Sequence, residues 1–269
     1  MYSHFETRVP GKWVLAGEHA VLKGETAVAL PHPEMGLALE FEPGSGTLEV
    51  EPSGATEVIQ GILDGVGLAE PIRGRLKILS SIPIGAGLGS SAALCVALTK
   101  WLAPTLRLLP EQWPDFATQL EHRFHGQSSG MDVAVICAGE AVSFVRGQGA
   151  QALGVARLPK FTFHDTGLRA RTNECVARVE KLRQERPEHA AVIDARMGQA
   201  SHEAIAGLRS GDVMQVGRAM EFAHECFLAW DLVPESALRL RQSLLDQGAL
   251  GAKLTGAGGG GFVVAVWGG

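Results

Sequence analysis

An α+β chain in two parts is what the order of apolar patterns predicts. Strand-like runs crowd the first third, helical periodicity dominates the second half, and a short apolar strand closes the chain. The early runs, at 13–16, 27–30, 37–41, 48–50 and 76–78, are short and set between turn residues, as strands are. Residues 90–102, rich in Ala and Leu, read as a buried helix. Residues 114–124 read as a second helix, with Phe116, Leu120 and Phe124 on one stripe. Residues 141–145 resemble a strand. Periodicity fades between Gly147 and Pro159, and the domain boundary is set there, giving residues 1–155 and 156–269. Beyond it a strand at 161–164 leads to four helices, near 173–185, 189–210, 213–230 and 234–247. The strand at 261–267 follows a second glycine-rich loop.

Composition narrows the class. With 269 residues, 46% of them hydrophobic and 20% charged, the chain has ample material for a globular core. A net charge of -5 and the lack of a basic block argue against nucleic-acid binding. Cys95, Cys137, Cys175 and Cys226 lie far apart, without Cys-x-x-Cys spacing, and read as buried small hydrophobes of a reducing compartment. The first ten residues lack an apolar signal core, and no run of about 18 apolar residues occurs. A cytoplasmic chain acting on a small molecule, away from membranes, is the expectation; a homodimer is compatible with it.

The run Pro83-Ile84-Gly85-Ala86-Gly87-Leu88-Gly89-Ser90-Ser91-Ala92-Ala93 carries the strongest signal. Three glycines in five residues give a loop of approachable amides, and two serines open the helix that follows. Such a loop, ending at a helix N-terminus, suits a polyanion such as the phosphates of a nucleotide. A Walker A loop would need Lys-Ser or Lys-Thr where Ser90-Ser91 stand. A dinucleotide fingerprint would need two residues between Gly87 and Gly89, and only Leu88 is there.

Phosphoryl transfer needs a phosphate cradle, a metal holder, a cation and a positioned nucleophile. Lys12, between Pro10-Gly11 and a short apolar strand, can point into a cleft, although most such lysines lie on the surface. Glu121 borders the Phe116–Leu120–Phe124 stripe; spacing alone favours an exposed glutamate, and chemistry offers an oxygen ligand for Mg²⁺. Asp132 precedes an apolar run where a carboxylate is out of place. It is either a helix N-terminal acid or a base able to take a proton from a hydroxyl, with Lys12 steadying the oxygen. The hinge Gly126-Gln127-Ser128-Ser129-Gly130 has the spacing of a hydrolase nucleophile elbow, but it follows a helical pattern rather than the strand an elbow requires. Five glycines in the six residues 256–261, just before the last strand, allow close packing against another loop or a ligand.

In order, these regions resemble the three motifs of the GHMP kinase superfamily, from residue 10 to residue 262, and are most similar to its mevalonate kinase family. Pro10-Gly11-Lys12 with Gly17-Glu18-His19-Ala20-Val21 looks like the first motif. The stretch from Glu121 through His125-Gly126 and Ser129-Gly130 to Asp132 resembles the metal-and-base segment. Asp165-Thr166-Gly167 with Thr172 is similar to a stretch after the domain crossover. The sequence departs from the family where Gln127-Ser128 replace Asn-Pro and where Phe262 replaces a small residue or cysteine.

The resemblance implies a two-lobed α+β fold, an N-terminal sheet-and-helix domain followed by a ferredoxin-like C-terminal one. It also implies an ATP- and Mg²⁺-dependent kinase for the primary hydroxyl of mevalonate; the alternatives are phosphomevalonate or a sugar as the acceptor, or a catalytically silent ligand sensor on the same fold. Gly85, Ala86, Gly87, Leu88, Gly89, Ser90 and Ser91 would wrap the ATP phosphates, with Ser91 and Glu121 on the metal. Asp132 would be the base and Lys12 its partner. Glu18, His19, Gly256, Ala257 and Gly258 would line the acceptor side.

Overall fold

The computed structural model describes residues 2–125 and 129–268. Its first lobe is built on a long hairpin, β1 (Phe5–Ala16) against β2 (Ala27–Pro43), paired antiparallel over most of their length. The pairing shifts between Pro10 and Lys12, so strand β1 is bent just where Lys12 sits. After β3 (Leu48–Glu51), helix α1 (Thr56–Val66) leads to β4 (Gly74–Ser80). Helices α2 (Ser90–Leu106), α3 (Trp113–His125) and α4 (Met131–Ala138) follow, then β5 (Val142–Val145) and β6 (Gly149–Ala152). The strands form one sheet in the order β3-β4-β2-β5-β6, with β1 pairing on β2. Helix α2 is buried on nearly every side, which its small Ala and Cys positions permit, and it packs against β1, β2, α3 and α4.

The second lobe is a three-stranded antiparallel sheet, β7 (Lys160–Asp165), β9 (Phe262–Trp267) and β8 (Gly251–Thr255), in the order β7-β9-β8. Four helices come between β7 and β8: α5 (Thr172–Glu185), α6 (Pro187–Ser210), α7 (Val213–Ala229) and α8 (Glu235–Asp246). The predicted helices and strands are present, with two differences: β1 begins at Phe5, well before the run at 13–16, and the runs at 27–30 and 37–41 are parts of the single strand β2. Helix α1 and strands β6 and β8 are not among the predicted elements, and the apolar run after Gly130, left unassigned, forms helix α4. The chain passes from one sheet to the other between Ala152 and Lys160.

The lobes share a core. Trp13 of β1 packs edge-on against Phe161 and Phe163 of β7, and His32 of β2 lies against Phe163. Val216, Ala219 and Met220 of α7 belong to the same buried cluster as Val14 and Leu15 of β1. Strand β1 is therefore covered by both lobes, which explains why Val9 to Ala16 is apolar at nearly every position rather than at alternate ones. Among the described residues no helix is long and apolar enough to cross a membrane. The four cysteines carry free thiols; burial pushes Cys137 up to about 11 and Cys226 up to about 12.

Candidate active site

The phosphate-loop candidate alternates two kinds of residue. Gly85, Gly87 and Gly89 have φ of 73°, 78° and 75°, in the left-handed region that glycine enters without strain. Ala86 and Leu88, between them, are buried and pin the loop to the core. Ser90 and Ser91 begin α2, whose N-cap is Gly89, so no side chain at the cap competes for the first amides. A Cβ on Gly89 would lie 2.8 Å from Cγ of Lys12, so the lysine stem occupies that space.

Lys12 is not a surface lysine: it is 4% exposed, held by the bend in β1. Its main-chain amide donates to Leu88 O at 3.0 Å, and its ammonium donates to Gly87 O at 3.0 Å. The same ammonium stands 3.0 Å from Oδ2 of Asp132. Asp132 lies in the first turn of α4, after Gly130 at φ 81°, and its side chain is 28% exposed. This aspartate both sits at a helix start and faces a buried cation. Lys12 thereby joins the glycine loop to a partly accessible carboxylate.

Glu121 departs from what spacing favours, being 3% exposed. It shares a face of α3 with buried Ala117 and Leu120. Its charge adds to the burial that raises the Cys95 thiol, and so it lies near Cys95, one turn along α2 from Ser91. Among the described residues no group of three or more His, Cys, Asp or Glu side chains forms a metal cluster. A buried carboxylate on α3, the helix that packs against α2, fits Mg²⁺ that takes its remaining oxygens from phosphate and water.

The second glycine loop meets the first directly. A Cβ on Gly87 would lie 3.1 Å from Cα of Gly256, and one on Gly256 would lie 2.9 Å from Cα of Gly87. Gly261 closes similarly on Ala86 O, and Gly258 on Leu232. Ala257 O meets Nε2 of His19 at 2.9 Å; facing a carbonyl, that nitrogen carries the proton and Nδ1 is left as the acceptor.

Glu18 lies inside the lobe junction. Its Oε1 is 2.6 Å from Nζ of Lys253 on β8, with both residues almost fully buried. The Lys253 ammonium also donates to Val14 O at 3.3 Å and sits 5.0 Å from the Phe227 ring centroid. Burial pushes the Glu18 carboxyl up and the Lys253 ammonium down, and each is opposed by its partner. Two residues on, the Thr255 hydroxyl accepts from Val14 N and donates to Val14 O. The hinge residues 126–128, including Gln127 and Ser128, lie outside the described residues. The residues leading to that hinge are helical, as a hydrolase elbow forbids. Phe262 starts β9 and is buried.

Two buried histidines make the fold acid-sensitive. Burial holds His19 at about 4, with nearby Arg183 and Lys253 adding to the effect against the bond to Ala257 O. Burial and the charges of Arg241 and Lys253 hold His224 of α7 at about 4 as well. Unfolded, both take a proton near pH 6.5; folded, they refuse it until about pH 4. Their contribution is complete above pH 6.5 and is lost as pH falls toward 4, by up to about 1.4 kcal/mol per pH unit each. Denaturant midpoints measured from pH 7 to 5 should fall, and His224→Leu should flatten that slope. An unchanged slope would remove His224 from the account.

Residues 55–140 match the family described as GHMP kinases N terminal domain, and residues 204–267 match GHMP kinases C terminal. A mevalonate kinase of Thermococcus sibiricus is 30% identical, over 96% of this chain and 87% of its own. The chain belongs to the GHMP kinases. It is accordingly an ATP-dependent kinase of that family. The crystal structure of L. major mevalonate kinase, in complex with R-mevalonate, superimposes with a TM-score of 0.84 at 25% identity, over 99% of this chain and 88% of that one. A phosphomevalonate kinase of Streptococcus pneumoniae shares the fold, with a TM-score of 0.80 at 16% identity, over 100% of this chain and 92% of that one.

Proposed function

We propose that this GHMP kinase transfers the γ-phosphoryl group of ATP to the primary hydroxyl of mevalonate, giving 5-phosphomevalonate, an isoprenoid precursor. The observation that carries the reading is the Lys12–Asp132 pair at 3.0 Å, with the Lys12 ammonium also bonded to the phosphate-loop carbonyl of Gly87. Residues 85–91 bind the phosphates through main-chain amides and the start of α2. Asp132 takes the proton of the acceptor hydroxyl as that oxygen bonds to the γ-phosphorus and ADP departs. Lys12 faces the developing charge on the same oxygen. Mg²⁺, held through Ser91 and Glu121, would neutralise charge on the phosphate oxygens. His19, Ala257 and their neighbours form the acceptor side.

The cations flanking the second lobe's loop favour an acceptor without a phosphate of its own. Arg169 is bound by both oxygens of Asp165, each at 2.7 Å. Arg171 is exposed and faces Glu174 at 3.9 Å. Arg169 therefore already has a carboxylate partner, and Arg171 makes only a loose solvent-exposed approach to one. Coupled ADP release with Mg-ATP, using mevalonate, phosphomevalonate, galactose and homoserine in turn, tests the reading. Turnover of mevalonate alone is expected. Turnover of another acceptor with none on mevalonate would discard the acceptor and keep the chemistry.

A further inference from the structure

We infer that Arg183, on α5 of the second lobe, is a positioning residue for the acceptor side of the site, acting through the main chain of His19. The inference rests on the reading of His19 as an acceptor-side residue. His19 has φ 62° and ψ -47°, a backbone setting that a residue with a Cβ holds only when its surroundings fix it. Its carbonyl accepts from Leu22 N at 3.1 Å within the turn that follows, and from Nη2 of Arg183 at 3.1 Å. The turn alone thus supplies one bond, and the second lobe supplies the other.

The guanidinium is built into place. Its Nη2 donates to Oδ1 of Asp194 at 2.7 Å and its Nε to Oδ2 at 3.0 Å, a two-pronged pair between α5 and α6. The Arg183 and Asp194 side chains are 8% and 10% exposed. Nη1 lies 3.6 Å from Glu180, which in turn meets Lys23, at the end of the same turn, at 2.8 Å. Helix α5 therefore grips the segment 19–23 at both ends. With the carbonyl fixed by Arg183 and the ring fixed by Ala257 O, His19 has one available orientation. The contacts of Arg183 are with His19, Glu180 and Asp194, while Lys12 and Asp132 pair with each other beside the glycine loop. Loss of Arg183 should therefore separate acceptor binding from nucleotide binding. Lysine cannot replace it, since one ammonium cannot make the two-pronged pair and reach the carbonyl in the same geometry.

The test is steady-state kinetics of Arg183→Ala and Arg183→Lys, with ATP and acceptor varied separately. The KM for the acceptor should rise about tenfold or more, with the KM for ATP within about twofold of wild type. Millimolar guanidinium should restore part of the loss in Arg183→Ala. Asp194→Asn, which keeps the volume, should move the same constant by less and guards against a variant that does not fold. Amide hydrogen exchange supplies a readout without any acceptor: Leu22 and Gly24 should exchange faster in Arg183→Lys than in wild type. Unchanged acceptor KM in the folded variants, or equal rises for both substrates, would overturn the proposal. Should wild type fail with every acceptor, the acceptor reading falls on that result, and unchanged exchange at Leu22 would then overturn the role of Arg183 independently.

Discussion

Asp132→Asn should lower turnover by about a thousandfold and leave the KM for ATP close to that of wild type. The substitution keeps the size of the side chain and an oxygen that still accepts from Lys12, now 3.0 Å away. It keeps the residue in the first turn of α4, after the left-handed Gly130. What it removes is the carboxylate's capacity to take a proton, the role proposed for Asp132 toward the acceptor hydroxyl. Measuring kcat beside ATP affinity by direct titration separates the two roles a carboxylate can play here. A loss of ATP binding as large as the loss of turnover would move Asp132 to the metal and end its assignment as the base.

Lys253→Met should produce the largest loss of stability. It leaves the Glu18 carboxylate in the lobe junction without its counter-charge, and Oε2 of that carboxylate already has no hydrogen-bond partner among the described residues. Stranding a buried charge costs about 3–5 kcal/mol, which lowers the midpoint of a chain this size by roughly 10 °C. Adding Glu18→Gln should recover much of it, because a neutral amide needs no counter-ion. The deficit should shrink at low pH. Without Lys253 the Glu18 carboxyl, already raised by burial, loses the charge that opposed the rise, so its penalty is absent below the ordinary carboxylate range and grows as pH rises above it. Melting curves of wild type and variant compared at pH 5 and pH 8 read this directly. Equal deficits at the two pH values would show that the loss comes from packing instead of charge.

What was legible in the chain followed from local chemistry. The alternation of glycine with Ala86 and Leu88 is written in the sequence, and so is the misplaced charge of Asp132 before an apolar run. Helix α1 was equally available: Ile59, Ile62 and Leu63, its buried residues, recur at helical spacing. The sign for Glu121 was Ala117 four residues earlier, which turns the buried face of α3 toward it. Strand β6, Gly149–Ala152, is exposed at every position and carries no pattern to read. Strand β8 was hidden because Lys253 interrupts its apolar residues, and that lysine is buried only because Glu18 of the other lobe meets it. Arg183 and Asp194 read as ordinary helix charges for the same reason. A charged residue looks like surface until its partner is known, and these partners are supplied by tertiary packing.

The contact between Gly87 and Gly256 leaves no room for an intermediary between the lobes. Main chain touches main chain there, and any side chain at either position would act as a wedge driven between the nucleotide loop and the final hairpin. The two loops therefore share one clearance: neither position takes a Cβ while the other loop keeps its place.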